Sequence, residues 1–370
     1  MRPVLSRLTL LGPIFACCAA ALAGCVVAPP FTVTTVVPNL DRPWDVGWAG
    51  QTLVFTERPG RISAWVGGQK RVLSAPSDVV AVGESGMLGL AVDPQFSSNR
   101  YIYTCQSSNI GPVPDNRVVR WTVNSSFTGM SARQDIVTGI PLNTSNGNHS
   151  GCRLRFGPDG YLWVGTGDSF NGAVPQSPAS VGGGVLRVTR TGQGAPGNLV
   201  PPFDSRIYNY GHRNIQGIAF RASDGLGVTT EHGPDRDDEL NRLMPGNFGW
   251  DPVPGYNQAG SMTDLTKFPS AVPAAKASGS PTVAPSGATF VNGSQWGAWN
   301  GKLLVALLKR RALWVADVNS AGQVIDEGLS MGDQGRLRSV AQGPDGNLYV
   351  TTDNGGGTDK ILRLTPNQGG

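Results

Sequence analysis

The chain has only three histidines, His149, His212 and His232. Each stands in a glycine-rich stretch beside an apolar run: Asn-His-Ser-Gly, Tyr-Gly-His-Arg-Asn and Glu-His-Gly-Pro. Imidazole is the side chain best suited to proton transfer near neutral pH, so three in comparable settings are candidate proton carriers. A solvated loop position is the plainer reading of any one of them. Zinc is disfavoured because no pair has i, i+4 or other tight ligand spacing. Residues 148–169 concentrate the pattern: His149, then the turn signal Gly157-Pro158-Asp159-Gly160, then an apolar strand. They read as a base presented from a loop at the edge of a sheet. Residues 229–239 hold five acids in eleven positions, with Gly233-Pro234 among them. A hard cation such as calcium takes carboxylates and turn carbonyls; an acidic surface loop is the alternative, and no EF-hand pattern is present. Arg336-Leu337-Arg338 on a strand would place both guanidinium groups on one face. With Arg213, and Lys309 at the end of an apolar strand, they suit a ligand carrying several carboxylates, or ordinary salt bridges.

The elements that must position these residues recur along the chain. Six segments, 46–60, 91–105, 155–169, 219–233, 296–309 and 341–355, each read as an apolar strand, a tight turn and a second strand with a polar exit. The exits are Glu57, Cys105, Asp168, Glu231, Lys309 and Asp353. Six hairpins with further strand-like runs between them predict an all-β fold, a six-bladed β-propeller of four-stranded antiparallel blades spanning residues 31–370. A pair of β-sandwiches would not explain the six-fold recurrence. Residues 31–37 are placed to close the last blade by pairing with 360–364. Residues 257–282 and 171–183 read as surface loops, the former a possible lid. No strand–GxGxxG–helix pattern occurs.

Composition agrees. With 51 Gly, 28 Pro and only 15% charged residues, the chain is rich in turns and poor in long helices. The net charge of +4 includes Arg2 and Arg7 of the leader and is dispersed, which argues against nucleic acid. Lys309-Arg310-Arg311 is the one tight basic cluster. Residues 1–24 read as a signal peptide. Leu22-Ala23-Gly24-Cys25 resembles a bacterial lipobox, which implies lipidation of Cys25, a tether at 25–30 and anchoring to the outer face of the cell membrane. Cys17 and Cys18 then leave with the leader, and Cys105 and Cys152 remain as an even pair expected to form a disulfide.

Taken in order, the segments resemble the soluble quinoprotein sugar dehydrogenases, the glucose/sorbosone and aldose sugar dehydrogenases that use pyrroloquinoline quinone (PQQ). The resemblance runs from about Arg42 to Thr365. It rests on GESGMLGLAVDPQF (83–96), NHSGCRLRFGPDGYLWVGTGD (148–168), YGHRNIQGIAF (210–220), TTEHGPDRDDELN (229–241), NFGW (247–250), APSGATF (284–290) and GRLRSVAQGPDGNLYVTTDN (335–354). It implies a six-bladed propeller, PQQ and calcium as cofactors, a sugar substrate and an external electron acceptor. It further implies His149 as the base at the anomeric hydroxyl and Arg213 over the quinone carbonyl, accompanied by Asn214 and Gln216. Lys309, Arg336 and Arg338 become cofactor anchors, and Glu84 a polar residue near the substrate. The carbonyls of Gly233 and Pro234 become ligands of one calcium, and Glu239 with the Phe248 carbonyl ligands of a second. Three residues depart from the family pattern: Cys152 stands where glycine is usual, Asn148 where one branch has an acid, and Ser339 where an acid often follows the Arg-x-Arg pair. A non-catalytic binding propeller and a calcium-dependent lactonase-like hydrolase are the rival readings.

Overall fold

The computed structural model describes residues 31–367. The expected signal peptide, tether and lipidated Cys25 lie outside them. Middle strands such as Leu162–Thr166, Gly227–Glu231, Leu303–Leu307 and Leu348–Thr352 are buried along their whole length. This is the signature of short continuous apolar runs packed on both faces. Outer strands such as Met130–Ile140 are mostly exposed or half-buried. A sheet buried on both faces needs a sheet on either side, and a ring of sheets satisfies that condition for every member.

Six sheets form the ring. Their innermost strands are Pro43–Ala49, Met87–Val92, Gly151–Phe156, Ile215–Phe220, Pro285–Phe290 and Leu337–Gln342. Each touches the next, and the sixth touches the first. We number the blades 1–6 from these strands. Six apolar clusters fill the six interfaces between blades. Successive inner strands run so close that a Cβ on Gly89 would overlap the carbonyl of Cys152, and one on Gly217 the carbonyl of Ser286. Blade 6 is closed by the N-terminal strand Phe31–Leu40, antiparallel to Asp359–Pro366 with Phe31 opposite Pro366. The expected closure is therefore present, three residues longer than the sequence suggests. Blade 3 carries one addition, the short strand Gly246–Asn247, parallel to Ile207–Tyr210.

In all six blades the pairing slips near the start of the innermost strand: between Pro43 and Asp45, Met87 and Leu90, Gly151 and Arg153, Ile215 and Gly217, Pro285 and Ala288, and Leu337 and Ser339. Such a bulge re-aims the side chain of the extra residue. The residues so displaced include Trp44, Cys152, Gln216 and Arg338. Gln216 and Arg338 both line the cavity described next.

Candidate active site

A cavity of about 530 Å³ is lined by Arg42, Arg58, Glu84, Gln216, His232, Lys309, Arg336, Arg338, Asp353 and Asn354, with Ala284 and Leu308. Five of these side chains are cations and two are carboxylates. Asp353 takes Arg338 on one oxygen, with Nη2 at 2.5 Å and Nε at 2.9 Å. The Arg42 guanidinium reaches the other only at 3.8 Å. Lys309 Nζ donates to the neutral Thr282 hydroxyl at 2.6 Å. The cavity is therefore short of negative charge. Burial, and then the nearby Arg42 and Arg338, push the Arg58 guanidinium below its ordinary range despite Asp353. Burial lowers Arg336 too, with Arg338, Arg311 and Arg42 adding to the effect against Asp353. Guanidinium groups crowded in this way fit a planar polycarboxylate.

Glu84 joins this cavity to His149. Its Oε2 accepts the His149 backbone N–H at 2.9 Å and Asn214 Nδ2 at 3.2 Å. Burial alone would raise the Glu84 carboxyl. The nearby His232 and His149 imidazoles, the His149 N–H and Arg338 outweigh it and hold the group below the usual range. Asn214 Oδ1 accepts Gln216 Nε2 at 3.0 Å, and Gln216 Oε1 accepts Arg338 Nη1 at 3.1 Å. One chain of hydrogen bonds thus runs from His149 through Glu84, Asn214 and Gln216 to Arg338.

His149 is buried but retains 5% exposure, and its backbone is left-handed at φ 56°. Its Nδ1 lies 2.7 Å from Asp168 Oδ1. Asp168 is fully buried and also accepts Phe170 N at 2.8 Å, Trp250 Nε1 at 2.8 Å and the Tyr256 hydroxyl at 2.6 Å. The arrangement fixes Nδ1 as the protonated nitrogen and leaves Nε2 to take a proton. Phe170, 37% exposed and 5.2 Å from the His149 ring, stacks on Tyr256 at 4.0 Å. His212 repeats the pairing in blade 4, with Nδ1 2.6 Å from Glu231, but it is fully buried beneath Phe248 and reaches neither solvent nor the cavity. His232 lines the cavity, and burial pushes its pKa down.

Arg213 donates from Nη1 to the His232 and Gly233 carbonyls at 3.0 and 2.9 Å, and from Nη2 to Gln258 at 3.1 Å. One lone pair of the Gly233 carbonyl is therefore occupied and a second remains. Asp238, from the acidic segment, accepts the Gly233, Val283 and Ala284 N–H groups and anchors this turn. Among the described residues no three His, Cys, Asp or Glu side chains converge as a metal cluster. A cation here would rely on carbonyls, which suits a hard ion. Glu239 lies apart from this cavity. Burial and the neighbouring Glu231 raise its carboxyl well above the ordinary range, a crowding of acids that a bound cation would relieve.

The structure thus gathers Glu84, Gln216, Lys309, Arg336 and Arg338 around one cavity. It ties His149, Arg213 and Asn214 to its rim and sets Glu239 and Phe248 elsewhere. The cysteines expected to pair do so: Cys105 and Cys152 form a disulfide between blades 2 and 3, with Cα atoms 5.4 Å apart. Sequence reasoning missed Arg42, Arg58 and Tyr256, and read Asp168 only as a hairpin exit. The 257–282 stretch is more than a surface loop. Gln258 bonds Arg213, Thr263 contacts Glu239, and Lys276–Ala277 is the outer strand of blade 4.

The sequence matches the family described as Glucose / Sorbosone dehydrogenase over residues 40–363. An aldose sugar dehydrogenase of Escherichia coli is 30% identical, the alignment covering 93% of this chain and 96% of the relative. The PQQ-bound aldose sugar dehydrogenase of Streptomyces coelicolor superposes with a TM-score of 0.75 at 31% identity, covering 91% of this chain and 99% of the other. An oxidoreductase described as a glucose dehydrogenase of Thermus thermophilus gives 0.78 at 34% identity, covering 91% and 100%. The cation-lined cavity beside a carboxylate-paired histidine is thus carried on a scaffold shared with these proteins, and the chain belongs to the glucose/sorbosone dehydrogenase family.

Proposed function

We propose that this protein oxidises an aldose at its anomeric carbon to the lactone, using PQQ and calcium, and passes the electrons to an external acceptor. The observation that carries this reading is the placement of the His149–Asp168 pair at the rim of a cavity with five cations and two carboxylates. When bound, the quinone supplies a two-electron acceptor for the hydride of the anomeric carbon, and calcium supplies Lewis acidity beside it. The chain's own residues do the rest. Arg42, Arg58, Lys309, Arg336 and Arg338 would hold the cofactor's carboxylates. Arg213 stands ready to stabilise negative charge. The Gly233 and Pro234 carbonyls offer calcium ligands, and Glu239 with the Phe248 carbonyl a second, structural site. His149 Nε2 takes the hydroxyl proton, and Asp168 stabilises the imidazolium that forms. The exposed ring of Phe170 offers an apolar wall for the C–H face of a sugar.

A lactonase centre would gather acids and asparagine around a central cation; here the cavity lining has the opposite sign. A membrane location on the outer face, through lipidated Cys25, is part of the proposal. The Cys105–Cys152 disulfide supports an oxidising compartment. The test is reconstitution of purified protein with PQQ and calcium, followed by a dye-linked assay against a panel of aldoses. Cofactor-induced absorbance change with dye reduction is expected. The absence of both would refute the reading.

A further inference from the structure

We propose that Tyr256 is a positioning residue for His149, acting through Asp168: its hydroxyl, brought in by the segment between the third and outer strands of blade 4, sets the tautomer and proton affinity of the base. The proposal rests on the reading of His149 as that base.

Asp168 Oδ1 accepts from His149 Nδ1 and the Phe170 N–H; Oδ2 accepts from Trp250 Nε1 and the Tyr256 hydroxyl. Trp250 is fully buried and Tyr256 is half-buried at the site's edge, so Tyr256 is the more accessible of the two Oδ2 donors. Its hydroxyl also lies 3.0 Å from His149 Nδ1. Tyr256, Phe170, Ser169 and His149 all hold left-handed backbones, φ 49°, 58°, 53° and 56°. Strain of this kind at non-glycine residues persists where surrounding structure enforces it, and it clusters at functional sites. Burial, with Asp168 adding to it, raises the phenol well above its ordinary range, so it remains a donor throughout the working pH range.

A carboxylate with four donors has its charge spread. It holds the Nδ1–H tautomer while sharing its negative charge with the Phe170, Trp250 and Tyr256 donors as well as with the imidazole. Removing the phenol hydroxyl leaves Oδ2 with one donor and strengthens the pull of Asp168 on the imidazolium. The charged and titratable groups facing His149 are Asp168, Tyr256, Glu84 at its backbone N–H, Arg213 near Tyr256, and His232 across Glu84. Tyr256→Phe removes the hydroxyl's bond to Asp168 and its approach to His149 Nδ1, and keeps the ring stacked on Phe170. His212, whose Glu231 partner accepts from Arg213 N and Asn241 instead, is a built-in reference.

The test is imidazole NMR of the purified protein, with three histidines to assign, together with the pH profile of kcat/KM. In Tyr256→Phe the His149 titration moves up by about half a unit or more, the acid limb of kcat/KM moves with it, KM stays near wild type, and His212 is unmoved. In an Asp168→Asn background Tyr256→Phe adds no further shift. An unshifted His149 in a variant with normal His212 signals would overturn the proposal, as would an equal shift in the Asp168→Asn background. A shifted imidazole in a protein that oxidises no sugar would leave the positioning role standing and remove the functional reading.

Discussion

Arg153 Nη1 lies 2.8 Å from Asp45 Oδ1, and both side chains are wholly buried. The pair ties blade 3 to blade 1, and two more blades join it. Ser339 of blade 6 donates to Asp45 Oδ1 at 3.0 Å, and Arg153 Nε donates to the Gln216 carbonyl of blade 4 at 2.7 Å. Arg155 adds a second guanidinium at 2.8 Å. Trp44 lies under Arg153, 4.0 Å from ring centroid to guanidinium carbon. Ser339, standing where the resemblance leads one to expect an acid, thus turns to a carboxylate supplied by blade 1. Gln216 and Arg338 of the cavity are pinned from behind by this junction.

Asp45→Asn should therefore destabilise the protein by about 3 kcal/mol or more in denaturant unfolding, because it leaves Arg153 buried without its counter-charge. Burial alone would raise the Asp45 carboxyl, but Arg153 and Arg155 hold it below the ordinary 3.8. A depressed carboxyl contributes its full stability above that ordinary value and loses it as pH falls through the folded value. Acid unfolding of Asp45→Asn should accordingly be less steep below pH 3.8 than that of wild type. An unchanged acid limb would remove Asp45 from this role.

The disulfide should be worth about 3 kcal/mol. It also holds Cys152 in a left-handed backbone at φ 71°, three residues from His149. Replacing both cysteines with serine should lower the thermal midpoint. Alkylation without reductant, followed by intact-mass measurement, should find neither Cys105 nor Cys152 labelled. Labelling of both would contradict the pairing.

Loss of a cation from the cavity should weaken the cofactor more than it alters the fold. Arg338→Ala and Lys309→Ala should each raise the PQQ dissociation constant by about ten-fold to a hundred-fold, the worth of one charge-assisted hydrogen bond. Absorbance titration of the cofactor-free protein reads this directly. Unchanged affinity in both variants would place PQQ elsewhere.

Calcium should raise the thermal midpoint of chelator-treated protein, by about 2.7 kcal/mol of added stability at a hundred times its dissociation constant. Glu239→Gln should lose the share contributed by its own site while keeping PQQ binding, because Glu239 lies outside the cation-lined cavity. A full calcium response in Glu239→Gln would exclude it as a ligand.

The architecture was legible because each blade repeats a local signal. Turns such as Gly157-Pro158-Asp159-Gly160 and short apolar runs need no distant information, and the pairing of Phe31–Leu40 with Asp359–Pro366 follows from the need to bury the last blade's edge. The disulfide followed from counting cysteines. The partner of His149 was not legible as such: Asp168 lies nineteen positions on, across a hairpin whose register sets Gly151 opposite Thr166. The same separation at His212 and Glu231 is the signal that would have exposed it. Arg42 and Arg58 carried no local signal, because only ring closure sets blade 1 beside Arg336 and Arg338 of blade 6. Tyr256 comes from a segment without periodicity, whose contacts depend on the finished fold.

As proposed, His149 is the proton acceptor for sugar oxidation and the quinone is bound by other residues. The most direct measurement compares wild type and His149→Ala after reconstitution with PQQ and calcium, reading cofactor affinity by absorbance and turnover by dye reduction. Affinity within about three-fold of wild type and a loss of turnover of about a hundred-fold or more are expected. Turnover retained at wild-type level with full cofactor occupancy would contradict it.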